Sequence, residues 1–379
     1  MKHYLAEILE NKFTKTEEIR VFRAPARINI IGEHVDYLGG LVLPAAIDFE
    51  VRIAIQKNKS NTYNFYSVQY DSLFSTKEIV YDKKILWVNY ILGVIEELKK
   101  YNLPDTGFDL VIDGNIPQGS GLSSSAALEV VVGFALNSIF NLGINLEQIA
   151  LIGQAAENNF VGTKCGIMDQ FIIANGKKDQ CLLLNTATLE KTYHSLDLKN
   201  FEFYLINSNV KHSLNDSEYN TRREECEFAL KKIQAYKPSL KNLYDLEKLE
   251  SHWNLGEKES IRVQHVIGER HRTQAILEYF RNHELKKAAS ILYAAHDSLS
   301  KLFEVSCSEI DFLIDELKTL GIAGARMIGG GFGGCILVLD EIGRRENSME
   351  ILKESYFAKF SLKAEIYSFQ ISEGVTEII

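Results

Sequence analysis

A soluble protein of two domains, each mixing strands with helices, is what the sequence predicts, and three observations carry that expectation. The chain has 379 residues, 46% hydrophobic and 25% charged, enough for two cores with a cleft between them. Its first two hundred residues alternate β-branched runs with runs of helical period, whereas the remainder is dominated by helical period until near its end. A boundary near residue 200 therefore divides the chain into 1–200 and 201–379.

The elements follow in order. In "RVFRAPARINIIGEHVDYLGGLVLPAAIDFEVRIAI", β-branched runs flank a Gly, His, Asp and Tyr cluster, which predicts strand, polar loop, strand over residues 20–54. Ile91, Val94, Ile95 and Leu98 share one face of a helix over 88–102, and Phe108, Leu110 and Ile112 alternate as a half-buried strand. A helix from Ser124 to Phe140 is apolar nearly all round, so it is expected to be buried on most sides. "LEQIALIGQAAENNFVG" reads as a further helix, and "CLLLNT" and "FEFYLINSNV" read as strands. Beyond residue 200, the spacing Thr221 to Glu224 predicts a capped helix start, and 237–260 predicts solvated helix and loop. Near the end, "EIDFLIDELKTLG" predicts a helix, "ARMIGGGFGG" a glycine loop and "CILVLD" a strand.

Charge and cysteine usage exclude several classes of function. The net charge of -9, from 42 Lys plus Arg against 51 Asp plus Glu, comes with no like-charged block that could track a nucleic acid backbone. Five widely spaced cysteines without a C-x-x-C pair argue against a disulfide framework and a zinc site, and point to a reducing cytoplasm. The N-terminal "MKHYLAEILENKF" is too charged for a signal peptide, and "VVVGFAL" falls far short of the roughly 18 residues of a membrane span. Neither export nor membrane insertion is expected.

Three stretches carry chemistry. "PQGSGLSSSAALEV" offers Gly119, Gly121 and the first turn of a helix as an anion site, although a serine-capped helix after a flexible turn would also account for it. It has no lysine, and a helix end supplies only about half an elementary charge, so a triphosphate held here needs a cation from elsewhere. In "ARINIIGEHVDY", Arg27, Glu33, His34 and Asp36 crowd together; lacking an i, i+4 ligand pair, they suit the hydroxyls of a sugar better than a metal. The run Gly329, Gly331, Gly334 satisfies G-x-G-x-x-G, but it follows a helix and opens a strand, the reverse of a dinucleotide fingerprint. A tight turn where two backbones approach is the alternative. Asp169 in "CGIMDQF" reads alone as a helix cap or buried salt-bridge acid.

Taken together, "ARINIIGEHVDYLGG", "PQGSGLSSSAA" and "GARMIGGGFGGC" resemble the GHMP family of small-molecule kinases over nearly the whole chain. "AENNFVGTKCGIMDQF" and "NSNVKHSLNDSEYNTRREEC" resemble its galactose-phosphorylating branch. The resemblance implies an α+β fold of two domains with the active site between them. The first would be like domain 2 of ribosomal protein S5, with a left-handed crossover, and the second ferredoxin-like. It further implies that Glu33, His34, Val35, Asp36, Gly166 and Tyr219 surround galactose. Ser67 and the run Gly119, Ser120, Gly121, Leu122, Ser123, Ser124, Ser125 would contact ATP, with Ser125 and Glu157 on Mg2+. Asp169 would accept the proton of the sugar 1-hydroxyl and Arg27 would stabilise the transition state. The ion would then stand in for the missing lysine. An arginine beside an aspartate weakens it as a base, but a loose phosphoryl-transfer transition state asks little of the nucleophile until late.

The activity implied by the resemblance is ATP-dependent phosphorylation of the anomeric hydroxyl of galactose, the entry step of galactose breakdown, by a cytoplasmic monomer. Ala26, Val35, Leu38 and Ile328 depart from the family pattern, the first three beside the expected sugar, the last beside the nucleotide. Two alternatives stay open: a kinase for the anomeric hydroxyl of N-acetylgalactosamine or a uronic acid, and a non-catalytic sensor of galactose and ATP.

Overall fold

In a computed structural model of the chain, residues 3–210 and 215–378 are described; positions 211–214, in the middle of "NSNVKHSLNDSEYNTRREEC", lie outside the described residues. The order begins α1 (Tyr4–Lys12), β1 (Arg20–Asn29), β2 (Leu41–Val42), β3 (Pro44–Lys57), β4 (Tyr63–Ser67), β5 (Ser72–Thr76), α2 (Val88–Lys99) and β6 (Phe108–Gly114). It continues α3 (Ser124–Phe140), α4 (Leu146–Ala156), α5 (Met168–Asn175), β7 (Gln180–Asn185), β8 (Lys191–Ser195) and β9 (Phe201–Asn207). Then come α6 (Asn215–Gln234), α7 (Glu257–Arg281), α8 (Leu285–Ser298), α9 (Ser308–Thr319), β10 (Gly324–Met327), β11 (Cys335–Glu341), α10 (Arg345–Phe360), β12 (Glu365–Ser368) and β13 (Thr376–Glu377).

Six strands form the first sheet in the order β13-β1-β3-β6-β4-β5, so the end of the chain returns to the edge of the sheet that its beginning builds. Among the described residues β4 and β6 are the one parallel pair, joined by a crossover through β5 and α2. On one face Leu5 and Leu9 of α1 pack on Val21, Ala54 and Val111. The other face is covered by α3, which is itself enclosed by α2, α4 and α5. That enclosure is why its sequence is apolar all round: Ala127, Val130, Val131, Val132, Ala135 and Leu136 are fully buried. Each large side chain buried this way contributes about 1.5–3 kcal/mol.

The second sheet has the order β10-β11-β9-β12, antiparallel throughout. With helices between β9 and β10 and between β11 and β12, this is a ferredoxin-like βαββαβ arrangement, with four helices, α6 to α9, in its first connection. A small third sheet, β2-β7-β8, anchors the loop after β1. All five cysteines are free, and no helix among the described residues is long and apolar enough to cross a membrane.

Three local expectations are corrected. The helix expected to open at Thr221 already begins at Asn215, because Ser/Thr-x-x-Glu marks a start only where the first residue is non-helical. Residues 237–260 are not wholly solvated: Leu240, Leu243, Leu246 and Trp253 are buried. Ala325, Arg326 and Met327, taken into the glycine loop, belong to strand β10, whose partner is the apolar β11.

Candidate active site

The site is assembled around the loop between β1 and β2. A bulge between Pro25 and Ala26 shifts the register of β1 against β3 just before Arg27. The loop itself depends on left-handed backbone at Gly32, His34 and Gly39, with φ of 98°, 59° and 74°. It is clamped from the far half of the chain. Glu269 of α7 accepts from the amides of Gly32 and Glu33 at 2.8 and 3.2 Å, and His265 lies 3.2 Å from the Glu33 carbonyl. Arg326 of β10 donates to the carbonyls of Asn29 and Ile30 and to Glu33 Oε1, which also accepts from the Gly329 amide at 3.0 Å. Burial would raise the Glu269 carboxyl, but Arg272, His265 and Arg326 outweigh it and hold it down at about 2.

Asp169, at the start of α5, meets Arg27 in a bidentate pair: Nε to Oδ1 at 2.7 Å and Nη2 to Oδ2 at 2.8 Å. The remaining nitrogen, Nη1, donates to the Gly121 carbonyl at 2.7 Å, so one guanidinium ties the acid to the glycine loop. Ser123 also donates to Asp169 Oδ2.

Arg27, Glu33, His34, Asp36, Gly166, Asp169, Tyr219 and Gly330 border a cavity of about 60 Å³. Burial, with His265 beside it, pushes the His34 imidazole down to about 3, so the ring is neutral. Asp36 is pushed up to about 7 by burial and by the charges of Asp169 and Glu33. Its carboxylate lies where a side chain on residue 166 would be: a Cβ there would fall 1.8 Å from Asp36 Oδ2. Tyr219 of α6 covers Gly330 and packs its ring against His34 and Tyr37.

An adjoining cavity of about 210 Å³ shares Cys165, Asp169, Tyr219 and Gly330 with the first and is bordered by Gly119, Gly121, Ile328 and the glycine run. That run approaches the loop before α3 backbone to backbone. A Cβ on Gly329 would fall 2.8 Å from the Gly121 carbonyl, and one on Gly334 3.0 Å from that of Ser120. The glycines therefore serve a close approach, and the same turn forms a wall of the cavity. A third cavity, of about 270 Å³, lies beyond the loop, with Ser67, Tyr70, Trp87, Tyr90, Ser124 and Ser125 among its walls; the aromatic rings suit a flat heterocycle.

Ser125 Oγ lies 3.5 Å from Glu157 Oε1, while Gln170 Nε2 donates at 2.8 Å to Glu157 Oε2 and at 3.0 Å to Glu129. Burial and neighbouring acids push both glutamates up. Among the described residues no three His, Cys, Asp or Glu are placed to hold a metal by themselves. A hydroxyl and a carboxylate side by side do fit Mg2+, which takes few protein ligands and shares its shell with phosphate oxygens.

The structure thus brings together Arg27, Glu33, His34, Asp36, Gly166, Asp169 and Tyr219. Val35 is apart from them: its side chain is buried and packs on Gly40. Ala26 and Leu38 are buried in the core too, so none of these three departures puts a side chain into the cavity; Ile328 does border the second one. Leu122 is likewise buried, and its carbonyl accepts from the Arg27 amide at 3.4 Å. Sequence reasoning missed Glu129, His265, Glu269 and Arg326, all fully buried. The available signal was a charged residue inside an otherwise apolar run, as Glu129 is in α3.

Residues 9–57 match the galactokinase galactose-binding signature, 89–177 the GHMP kinases N terminal domain and 276–357 the GHMP kinases C terminal family. The chain is 42% identical to a galactokinase of Thermosipho africanus over 94% of its own length and 99% of the relative's. It is 38% identical to one of Clostridium acetobutylicum over 99% and 98%. A crystal structure of Lactococcus lactis galactokinase complexed with galactose superposes with a TM-score of 0.93 at 32% identity, covering 99% of this chain and all of that one. A mevalonate kinase structure, at TM-score 0.64 and 19% identity, shares the fold.

Proposed function

Because this chain belongs to the galactokinases of the GHMP kinase family, we infer that it transfers the γ-phosphoryl group of ATP to the anomeric hydroxyl of galactose, giving galactose 1-phosphate and ADP. One observation carries the reading: Asp169, tied to Arg27, borders both the acid-lined cavity and the glycine-lined one, where a sugar hydroxyl and a terminal phosphate would meet. Glu33, the neutral His34, Asp36 and Tyr219 orient the sugar, and Gly166 keeps room for Asp36. Gly119 to Ser125 cradle the phosphates by their backbone, with Ser67, Trp87 and Tyr90 around the base. Asp169 takes the proton of the attacking hydroxyl, while Arg27 steadies the acid and the developing charge. Ser125 and Glu157 would hold Mg2+, which supplies the positive charge that this lysine-free loop lacks. The same reading takes 1–200 and 201–379 as two domains of a cytoplasmic monomer.

Coupled ADP release with galactose, glucose, N-acetylgalactosamine and mevalonate side by side tests the activity. Turnover is expected with galactose far above the rest; equal or greater turnover with another acceptor would reassign the substrate.

Glu157→Gln is expected to raise the Mg2+ concentration needed for half-maximal ATP binding by at least about tenfold, since a neutral amide is a poor ligand for a hard cation. Titrating Mg2+ against ATP affinity by calorimetry checks this, and an unchanged requirement would make Glu157 a structural acid.

Galactose affinity should rise with pH through about 7. With Asp36 raised to about 7, the free protein below that pH holds a protonated carboxyl that must ionise before it accepts two hydroxyl hydrogens. Affinity is then lost progressively as pH falls from 8 to 6, and Asp36→Asn flattens the profile. A pH-independent dissociation constant in the parent would contradict it.

A further inference from the structure

Ser123 stands where a helix cap belongs and does not cap. It immediately precedes α3, yet its side chain makes no hydrogen bond to the helix amides, and its backbone is left-handed, with φ 64° and ψ 48°. Serine at this position ordinarily accepts from an amide one turn on, in an extended conformation. Here the hydroxyl turns away and donates to Asp169 Oδ2. Ser124 and Ser125 border the aromatic-walled cavity; Ser123 does not.

The two oxygens of Asp169 are consequently unequal. Oδ2 accepts from Arg27 Nη2 and from Ser123, and among the described residues Oδ1 accepts from Arg27 Nε alone. A carboxylate oxygen has two lone pairs in its plane, so Oδ2 is saturated and Oδ1 keeps one open. Asp169 borders both substrate cavities.

We propose that Ser123 is a positioning residue for the phosphoryl transfer: its hydroxyl completes the hold of the Arg27 fork on the Asp169 carboxylate, saturates Oδ2 and leaves Oδ1 as the atom that takes the sugar proton. The sugar O–H bond breaks toward Oδ1 as the same sugar oxygen forms its bond to the γ-phosphorus, and the bond from that phosphorus to the bridging oxygen breaks to release ADP. The left-handed backbone is what turns the hydroxyl from the helix toward the acid. This rests on Asp169 being the base, and it assigns the Ser123 hydroxyl to the acid rather than to the nucleotide.

Ser123→Ala is expected to lower kcat by about ten- to a hundredfold, the scale of a misoriented catalytic group. The KM for galactose and the calorimetric affinity for ATP should stay at parental values. Ser123→Gly removes the hydroxyl while relieving the left-handed backbone, and should lose the same factor. With Asp169→Asn in place, Ser123→Ala should cost nothing more, since it acts only through that acid. Near-parental kcat in Ser123→Ala, recovery in Ser123→Gly, a loss confined to ATP affinity, or a multiplicative loss in the double variant would each overturn the proposal. Near-parental turnover in Asp169→Asn alone would instead overturn the base assignment, and this one with it.

Discussion

Asp169→Asn is expected to lower single-turnover phosphorylation by a factor of about 10² to 10⁴ while galactose binding is retained, the loss typical of removing a general base. The amide keeps the shape of the side chain and can still accept from Arg27 through its oxygen, but it cannot take the proton. Arg27→Ala is expected to cost a similar factor for a different local reason. It removes the bidentate hold on the Asp169 carboxylate and takes from the Gly121 carbonyl the Arg27 donor, so the acid and the glycine loop lose their common tie. If Asp169 is the base and Arg27 its partner, the double variant should be little worse than either single one, because the pair would then serve one transition state. Rapid-quench phosphorylation in the three variants, with sugar affinity measured separately, decides this. Near-parental turnover in Asp169→Asn would leave the aspartate only an orienting role, and fully multiplicative losses would make the two residues independent.

Gly166→Ala is expected to weaken galactose binding at least about a hundredfold while leaving ATP binding at its parental value. The added Cβ would lie 1.8 Å from Asp36 Oδ2 and 2.2 Å from its Cγ, distances no packed atoms sustain. Asp36 is short and held by the amides of Tyr37 and Met168, so it has to leave its place, and the hydroxyls it would pair lose their partner. Asp36→Ala should match the effect, and combining the two substitutions should be no worse than either, because the clash then has nothing to meet. Calorimetry with galactose and with ATP checks both. Parental sugar affinity in Gly166→Ala would mean that Asp36 can move without cost and is not a sugar ligand.

Much of the fold was legible because its signals are local. The strand, loop, strand at 20–54 and the helix at 124–140 each carry their period or their breakers in a short window, and the structure reproduces them. The expectation at Thr221 failed because a capping pattern says nothing about backbone conformation at its first residue. The glycine run shows a different limit. Sequence order excluded a dinucleotide fingerprint, but only the approach of Gly329 to Gly121 shows what so many glycines are for. Residues that border the acid-lined cavity were anticipated where chemistry-bearing side chains cluster in sequence, as Glu33, His34 and Asp36 do. They were missed where the partner is remote: nothing near Glu269 points to the amides of Gly32 and Glu33, 237 and 236 positions away.

That remoteness bears on how the chain tolerates recombination. The sugar segment and the groups that hold it, Glu269 and Arg326, are opposite halves of one joint, with Arg326 separated from Glu33 by 293 positions. A chimera that takes residues 1–200 from one relative and 201–379 from another inherits each half from a different parent. The Glu33 carboxylate also accepts from the Gly329 amide, and Gly329 abuts the Gly121 backbone, so these two contacts link the loop after β1 to the loop before α3. Substrate preference in this architecture is therefore not a cassette that can be exchanged by itself: the β1–β2 loop, the face of α7 toward it and the end of β10 have to be inherited together.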